Sequence, residues 1–229
     1  MSQPWTERPL YIAIQYVYYF LMTNIHFMIA NLIFIIAFIV FELTLANMII
    51  FYIALLPAGP AIAALCATMG KLTREKEINP AKDFWNYYKK NFLVSVKYWL
   101  LKWSILAMLL IDLQYTNAQL KWLTPIIITL IVIFSLIMLY AFPILIRFEV
   151  KIKNLWLVSI YSNFKFFKKT LINLSTFVSL FIIYMFAPGI TLWFFMSIAA
   201  FFIMLNMKKP LQIMEKELTK SFQTDEVSQ

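Results

Sequence analysis

The sequence predicts an all-α, polytopic membrane protein: six transmembrane helices, both termini cytoplasmic, and two amphipathic cytoplasmic connectors. Three observations predict it. Hydrophobic residues fill 62% of the 229 positions and charged residues only 14%, at a mean hydropathy of +0.77. That leaves too little polar surface to cover a water-soluble core of this size. Apolar runs recur at the length of a span, about 20 residues at about 1.5 Å each. The charges are gathered into a few segments between those runs.

Between Arg8 and Lys71 there is no basic residue, and Glu42 is the one acid. The stretch suits two helices, over about 10–41 and 46–69, with a turn from Glu42 to Asn47. Lys71 to Lys90 is polar, mixing Lys71, Arg74, Lys76, Lys82, Lys89 and Lys90 with Glu75, Glu77 and Asp83. Helix 3 follows over about 92–113. A polar turn, Asp112 to Lys121, leads to helix 4 over about 125–146, where Thr124-Pro125 reads as an N-cap followed by proline at the first helical position. A second basic segment, Arg147 to Lys169, precedes helices 5 and 6 over about 170–187 and 190–207, parted by Pro188-Gly189. Lys208-Lys209-Pro210 closes the last span. Residues 1–209 therefore read as one six-helix domain, and 210–229 as a short cytoplasmic tail with a polar, disordered end.

Charge sets the orientation. Apart from Lys121 and, depending on its depth, Lys102, the twenty basic residues belong to the two long connections and the termini. Positive charge stays inside, so these segments face the cytoplasm. The net charge of +9 is thus a topology signal, and no nucleic-acid partner is implied. Arg8 is the only basic residue before the first apolar run and no small-residue cleavage site follows, so the first helix is expected to stay in the mature protein.

Enzyme chemistry finds little foothold, and the expectation is no catalysis and no cofactor. A phosphate-binding GxxxxGK[ST] loop is missing, a single histidine, His26, rules out HExxH, and no nucleophile-elbow serine is present. Cys66 is the one cysteine, which excludes an internal disulfide and a cysteine-built metal site. Glu42 and Asp112 fall in separate turns and form no acid/base pair.

The most particular local feature is PAGPAIAAL, residues 57–65. Pro57 and Pro60 remove backbone donors and bend the helix, and the freed carbonyls need partners inside the protein. Gly59, Ala63, Cys66, Ala67 and Gly70 then line one face at spacings of three and four, which lets another helix approach closely. The stretch is either a hinge, as in transporters with broken helices, or a static, tightly packed kink. Helix 1 carries Gln15, Asn24, His26 and Asn31, with Asn24 and Asn31 on one face and Gln15 and His26 nearly opposite. His26 reads as a proton-relay or ligand residue or, more simply, a hydrogen-bonded packing residue. Lys102 is expected to snorkel back to the headgroups, and Arg147 and Glu149 to form an interfacial salt bridge. Trp5, Trp85, Trp99, Trp122 and Trp156 fall near the expected membrane surfaces.

The two connections echo each other. Tyr87-Tyr88-Lys89-Lys90-Asn91-Phe92 precedes helix 3, and Phe166-Phe167-Lys168-Lys169-Thr170-Leu171 precedes helix 5. This is a degenerate duplication or a repeated interfacial anchor, with rings at headgroup depth and lysines on phosphates. Each connector is expected to hold a short interfacial helix. In the first, Phe84, Tyr88 and Phe92 recur every four residues; in the second, Leu155, Trp156, Ile160, Phe164 and Phe167 form the stripe. Such faces meet anionic lipid or a partner helix.

Taken together, PAGPAIAAL, DFWNYYKKNF after the basic loop and YAFPILIRFEVKIKNLW after helix 4 resemble the YesL-like family of uncharacterised bacterial membrane proteins. Gly59-Pro60-Ala61 matches its proline-alanine break, and Asp83, Phe84, Asn91 and Phe92 match its loop signature. The family's frequent tryptophan in helix 1 is not seen here. The resemblance implies a bacterial plasma-membrane protein accessory to an ABC-type carbohydrate importer, with permease subunits as partners and no catalytic residues to carry over. The loop Glu-Ala-Ala-x-x-x-Gly of the pore-forming permease subunits is lacking. On that reading, the Pro57 to Gly70 face or the connectors' rings and lysines, with Arg147, Glu149, Lys168 and Lys169, form the contact surface. The alternative is a self-sufficient transporter or channel acting as a homo-oligomer, with Asn24, His26 and Asn31 as its water-accessible mid-membrane residues.

Overall fold

The structure, a computed structural model, describes residues 9–44, 46–116 and 121–227, and for 218–227 the backbone alone. The described residues are almost wholly helical: α1 (Pro9–Ala30), α2 (Leu32–Val40), α3 (Met48–Ala54), α4 (Ala58–Glu75), α5 (Pro80–Tyr115), α6 (Thr124–Arg147), α7 (Ile152–Lys165), α8 (Phe167–Phe186), α9 (Pro188–Thr191) and α10 (Phe195–Val227). Among the described residues, five segments are long and apolar enough to cross a membrane: Pro9–Ala30, Met48–Glu75, Pro80–Tyr115, Lys121–Arg147 and Phe167–Phe186.

The first expected helix is divided at Asn31, whose side-chain Nδ2 donates to the Phe27 carbonyl at 2.8 Å. That bond competes with the helical ladder, as asparagine does in a helix interior. The turn after α2 lies where Glu42 to Asn47 put it, and Asn47 Nδ2 donates to the Glu42 carbonyl at 2.9 Å. The expected break at Pro57 parts α3 from α4.

The first connector departs from expectation. It is no separate interfacial helix: α5 runs unbroken for 36 residues, because nothing after Pro80 in that stretch is proline or glycine. The second connector does hold its own helix, α7, broken from α8 at Phe166. Tyr140 of α6 meets the break, its hydroxyl donating to the Phe166 carbonyl at 3.1 Å and lying 3.0 Å from Thr170 Oγ1. Thr170 Oγ1 donates to the Asn163 carbonyl at 3.2 Å, while its amide keeps the Phe166 carbonyl at 3.1 Å.

At the start of α6 the N-cap is Leu123, without a side-chain bond, rather than Thr124. The expected sixth span is divided. Pro188-Gly189 opens the short α9, and α10 begins only at Phe195, so its apolar section before Lys208 covers about 20 Å. Pro210 does not end the helix. Leu211 and Met214, just beyond it, are buried in the core, and α10 continues to Val227, so the polar end of the tail, expected to be disordered, is helical that far.

At the centre lies α4, buried from Ala58 to Thr73 except at the half-buried Ile62 and Lys71. Around it pack α1, α5, α6 and α10. Its alanine- and glycine-rich surface makes this possible. Helices in lipid gain little from the hydrophobic effect and associate through close backbone packing instead. Elsewhere α7 packs on α6, α8 on α10, and α2 on α3.

Candidate functional site

The hinge set belongs to the core of this chain. Pro57 is the N-cap of α4, and Gly59 faces α5, where a Cβ would come within 2.7 Å of Trp99 Cγ and 3.0 Å of the Ser95 carbonyl. Trp99 Nε1 donates to the Leu55 carbonyl at the break, at 2.8 Å. Pro60, Ala63 and Ala67 are buried, and Gly70 sits under Met204 of α10. The small-residue face is thus filled by α5 and α10, so as a surface for another chain it is occupied. Trp99, expected in an interfacial belt, is a core residue for the same reason. Trp122 is 65% exposed, Trp85 and Trp156 are half-buried, and Trp5 lies outside the described residues.

The hairpin between α4 and α5 gives the loop signature a structural meaning. Lys76 closes α4 in the left-handed conformation, φ 65°. Asn79 caps α5, its Oδ1 accepting from the Lys82 amide at 3.1 Å, while Asp83 accepts from the Asn79 amide at 2.9 Å. The same carboxylate holds Lys71 at 2.9 and 3.0 Å. Asp83 therefore caps one helix and ties it to the other. Phe84, Tyr88 and Phe92 form a ladder of rings, with centroids 6.3 and 5.6 Å apart. Only its far end is free: Phe84 is fully buried, stacked 6.2 Å from His26, and Phe92 is 39% exposed. Asn91 donates to the Tyr87 carbonyl at 3.0 Å, and Lys89 and Lys90 point to the exterior.

The second connector is more open. α7 buries Leu155, Ser159 and Ser162 and turns Leu157, Tyr161 and Phe164 outward, Phe164 at 77% exposure. The expected stripe is thus split, Leu155 facing in and Phe164 out. Lys168 is exposed and Lys169 half-buried. Arg147 pairs with Glu215 of α10 at 2.8 Å, not with Glu149. The chain turns extended at Phe148 and carries Glu149 away, while α10 brings Glu215 in. Lys165 holds Glu217 at 2.7 and 2.9 Å, and that hydrogen bond keeps its ammonium above the usual lysine range. Between α7 and the end of α10 lies a cavity of about 730 Å³, lined by Phe148, Glu149, Lys151, Tyr161, Lys165 and Glu217 among others. Sequence reasoning missed Glu215 and Glu217; the signal was a pair of acids two apart beyond the last basic cluster.

The polar residues of α1 have structural partners. Asn24 is 1% exposed; its Nδ2 donates to the Leu192 carbonyl at 3.1 Å and its Oδ1 accepts from the Ser197 amide at 3.2 Å. It therefore bridges the gap between α9 and α10 and caps α10 from another helix. Asn31 sits at the α1–α2 break, and His26 packs among Phe84 and Trp85. Asn24 and Asn31 also line a mainly apolar cavity of about 730 Å³ between α1, α4, α8 and α10. Lys102 does not snorkel. It is 4% exposed, with Nζ 2.9 Å from Met138 Sδ and 5.3 Å from the Trp99 ring. Among the described residues, no group of three or more His, Cys, Asp or Glu comes together to hold a metal.

Residues 20–113 match a family described as "Protein of unknown function, DUF624". The matched stretch runs from within α1 to near the end of α5, and so contains the PAGPAIAAL break and the capped α4–α5 hairpin. No curated protein and no solved structure matches the chain.

Proposed function

We propose that the chain is an accessory or stabilising membrane subunit of an ABC-type carbohydrate importer in a bacterial plasma membrane, without catalysis of its own. In this reading α9 and α10 supply a sixth crossing, and both termini, the α4–α5 hairpin and α7 face the cytoplasm, in keeping with the positive-inside rule. The importer enters through the resemblance to the YesL-like family. The observation that carries the accessory role is α7, with Leu157, Tyr161 and Phe164 turned outward beside a cavity edged by Glu149, Lys151 and Lys165. Apolar anchors with a charged rim are what a partner segment recognises. Phe92, Lys89, Lys90, Lys168 and Lys169 extend this surface toward anionic headgroups.

A photo-crosslinking amino acid at Tyr161 or Phe164, in native membranes, tests the role. Crosslinks to a permease subunit are expected; crosslinks to lipid alone would refute it.

A self-sufficient homo-oligomeric transporter is the second reading, favoured by the cavity that Asn24 and Asn31 line. Its weakness is that both polar groups of Asn24 are already bonded. Modification of cysteines at 24 and 31 by a membrane-impermeant thiol reagent would support it.

A further inference from the structure

Arg74, Arg147 and Lys208 come from three different helices and line one notch of about 40 Å³, with Thr73 and Gln212 beside them. Arg74 is in the last turn of α4, Arg147 ends α6, and Lys208 follows the apolar section of α10. With α10 as the sixth crossing proposed above, each stands where its helix leaves the hydrocarbon, and the notch opens at the depth of lipid phosphates. Among the described residues, Arg147 alone of the three forms an ion pair, with Glu215; Arg74 and Lys208 form none. Buried Met204 and Leu211 close the floor.

The residues that line the notch include three cations and no carboxylate, a charge balance that favours an anion. A water needs about 10–15 Å³ of such space, so the notch admits the oxygens of one phosphate group and leaves the rest of a ligand outside. Basic pockets between transmembrane helices take anionic headgroups in this way.

We propose that this notch binds the phosphate of an anionic phospholipid. It does not depend on the importer reading and would hold for a transporter equally. The two ways of closing such a charge cluster are distinguishable, because a lipid phosphate arrives tethered to chains that lie along the apolar surface, whereas a free phosphate does not.

The test is native mass spectrometry of the full chain in mild detergent, titrated with phosphatidylglycerol, phosphatidylcholine or inorganic phosphate. Phosphatidylglycerol is expected to fill one site that phosphatidylcholine does not. Arg74→Gln with Lys208→Gln should weaken it roughly 30-fold, about fivefold for each cation removed. Lys97→Gln with Lys153→Gln, an equal loss of charge elsewhere on the exterior, should change it by less than about threefold. Arg74→Lys with Lys208→Arg keeps the charges and should bind within about threefold of the parent chain, which guards against a glutamine pair that merely fails to fold. Equal weakening by both glutamine pairs, or no preference for phosphatidylglycerol, would overturn the site. Displacement of the lipid by millimolar inorganic phosphate would overturn the lipid assignment.

Discussion

Gly59 of α4 lies so close against Trp99 of α5 that a Cβ on the glycine would stand 2.7 Å from the indole Cγ. The same indole donates to the Leu55 carbonyl at the break before α4. Close approach and proline break are therefore one device. The kink brings α4 onto α5, and the tryptophan that fills the contact satisfies a backbone carbonyl where the chain bends. Gly59→Ala is expected to destabilise the protein by about 1–3 kcal/mol, the usual cost of overpacking a filled core. Thermal unfolding in detergent measures it. An unchanged midpoint would mean that the two helices are not in contact at Trp99.

Asn24 braces the α9–α10 gap from α1. Replacing it with leucine removes two interhelical hydrogen bonds and leaves the Ser197 amide and Leu192 carbonyl short of a partner. A loss of about 1–3 kcal/mol is expected, with faster amide exchange confined to residues 192–198. Exchange that rose evenly along the chain would argue against a local brace.

Asp83→Ala should loosen the hairpin by about 1–3 kcal/mol, since one carboxylate serves both Lys71 and the Asn79 amide. Asp83→Asn, which can still accept from the Asn79 amide, should lose less. Equal losses for the two variants would assign the whole effect to the ion pair.

Lys102 is buried with a thioether and an indole face as its recorded contacts, and no carboxylate pairs with it among the described residues. A buried cation without a counter-charge contributes little to stability, and a well-packed apolar replacement is often neutral or stabilising. Lys102→Met is therefore expected to leave the unfolding midpoint unchanged or raised. A marked fall would show that the ammonium has an anionic partner in the membrane.

Hydropathy and proline placement made most of the helix order legible in the sequence, because a bilayer imposes a length on every crossing and a helix needs its breaks marked. Pro57, Pro188 and the Glu42 turn are where the sequence puts them. What could not be read were events decided between helices. The second connector breaks at Phe166, where Tyr140 reaches in from α6, while the similar residues of the first connector stay within α5. Pro210 fails to end α10 because Leu211 and Met214 are already held by the core. The small-residue face of α4 was legible as a contact, but not the identity of its neighbours. Nor could the pairing of Arg147 be read, because its acid lies 68 residues away.

The accessory role is tested most directly by purifying the tagged chain from its native membrane in gentle detergent and quantifying by mass spectrometry what co-elutes. The account predicts permease subunits of a carbohydrate ABC importer in fixed ratio to the chain, lost when Leu157, Tyr161 and Phe164 are replaced together by alanine. A lone homo-oligomer that survives dilution, with no importer subunit attached, would contradict it.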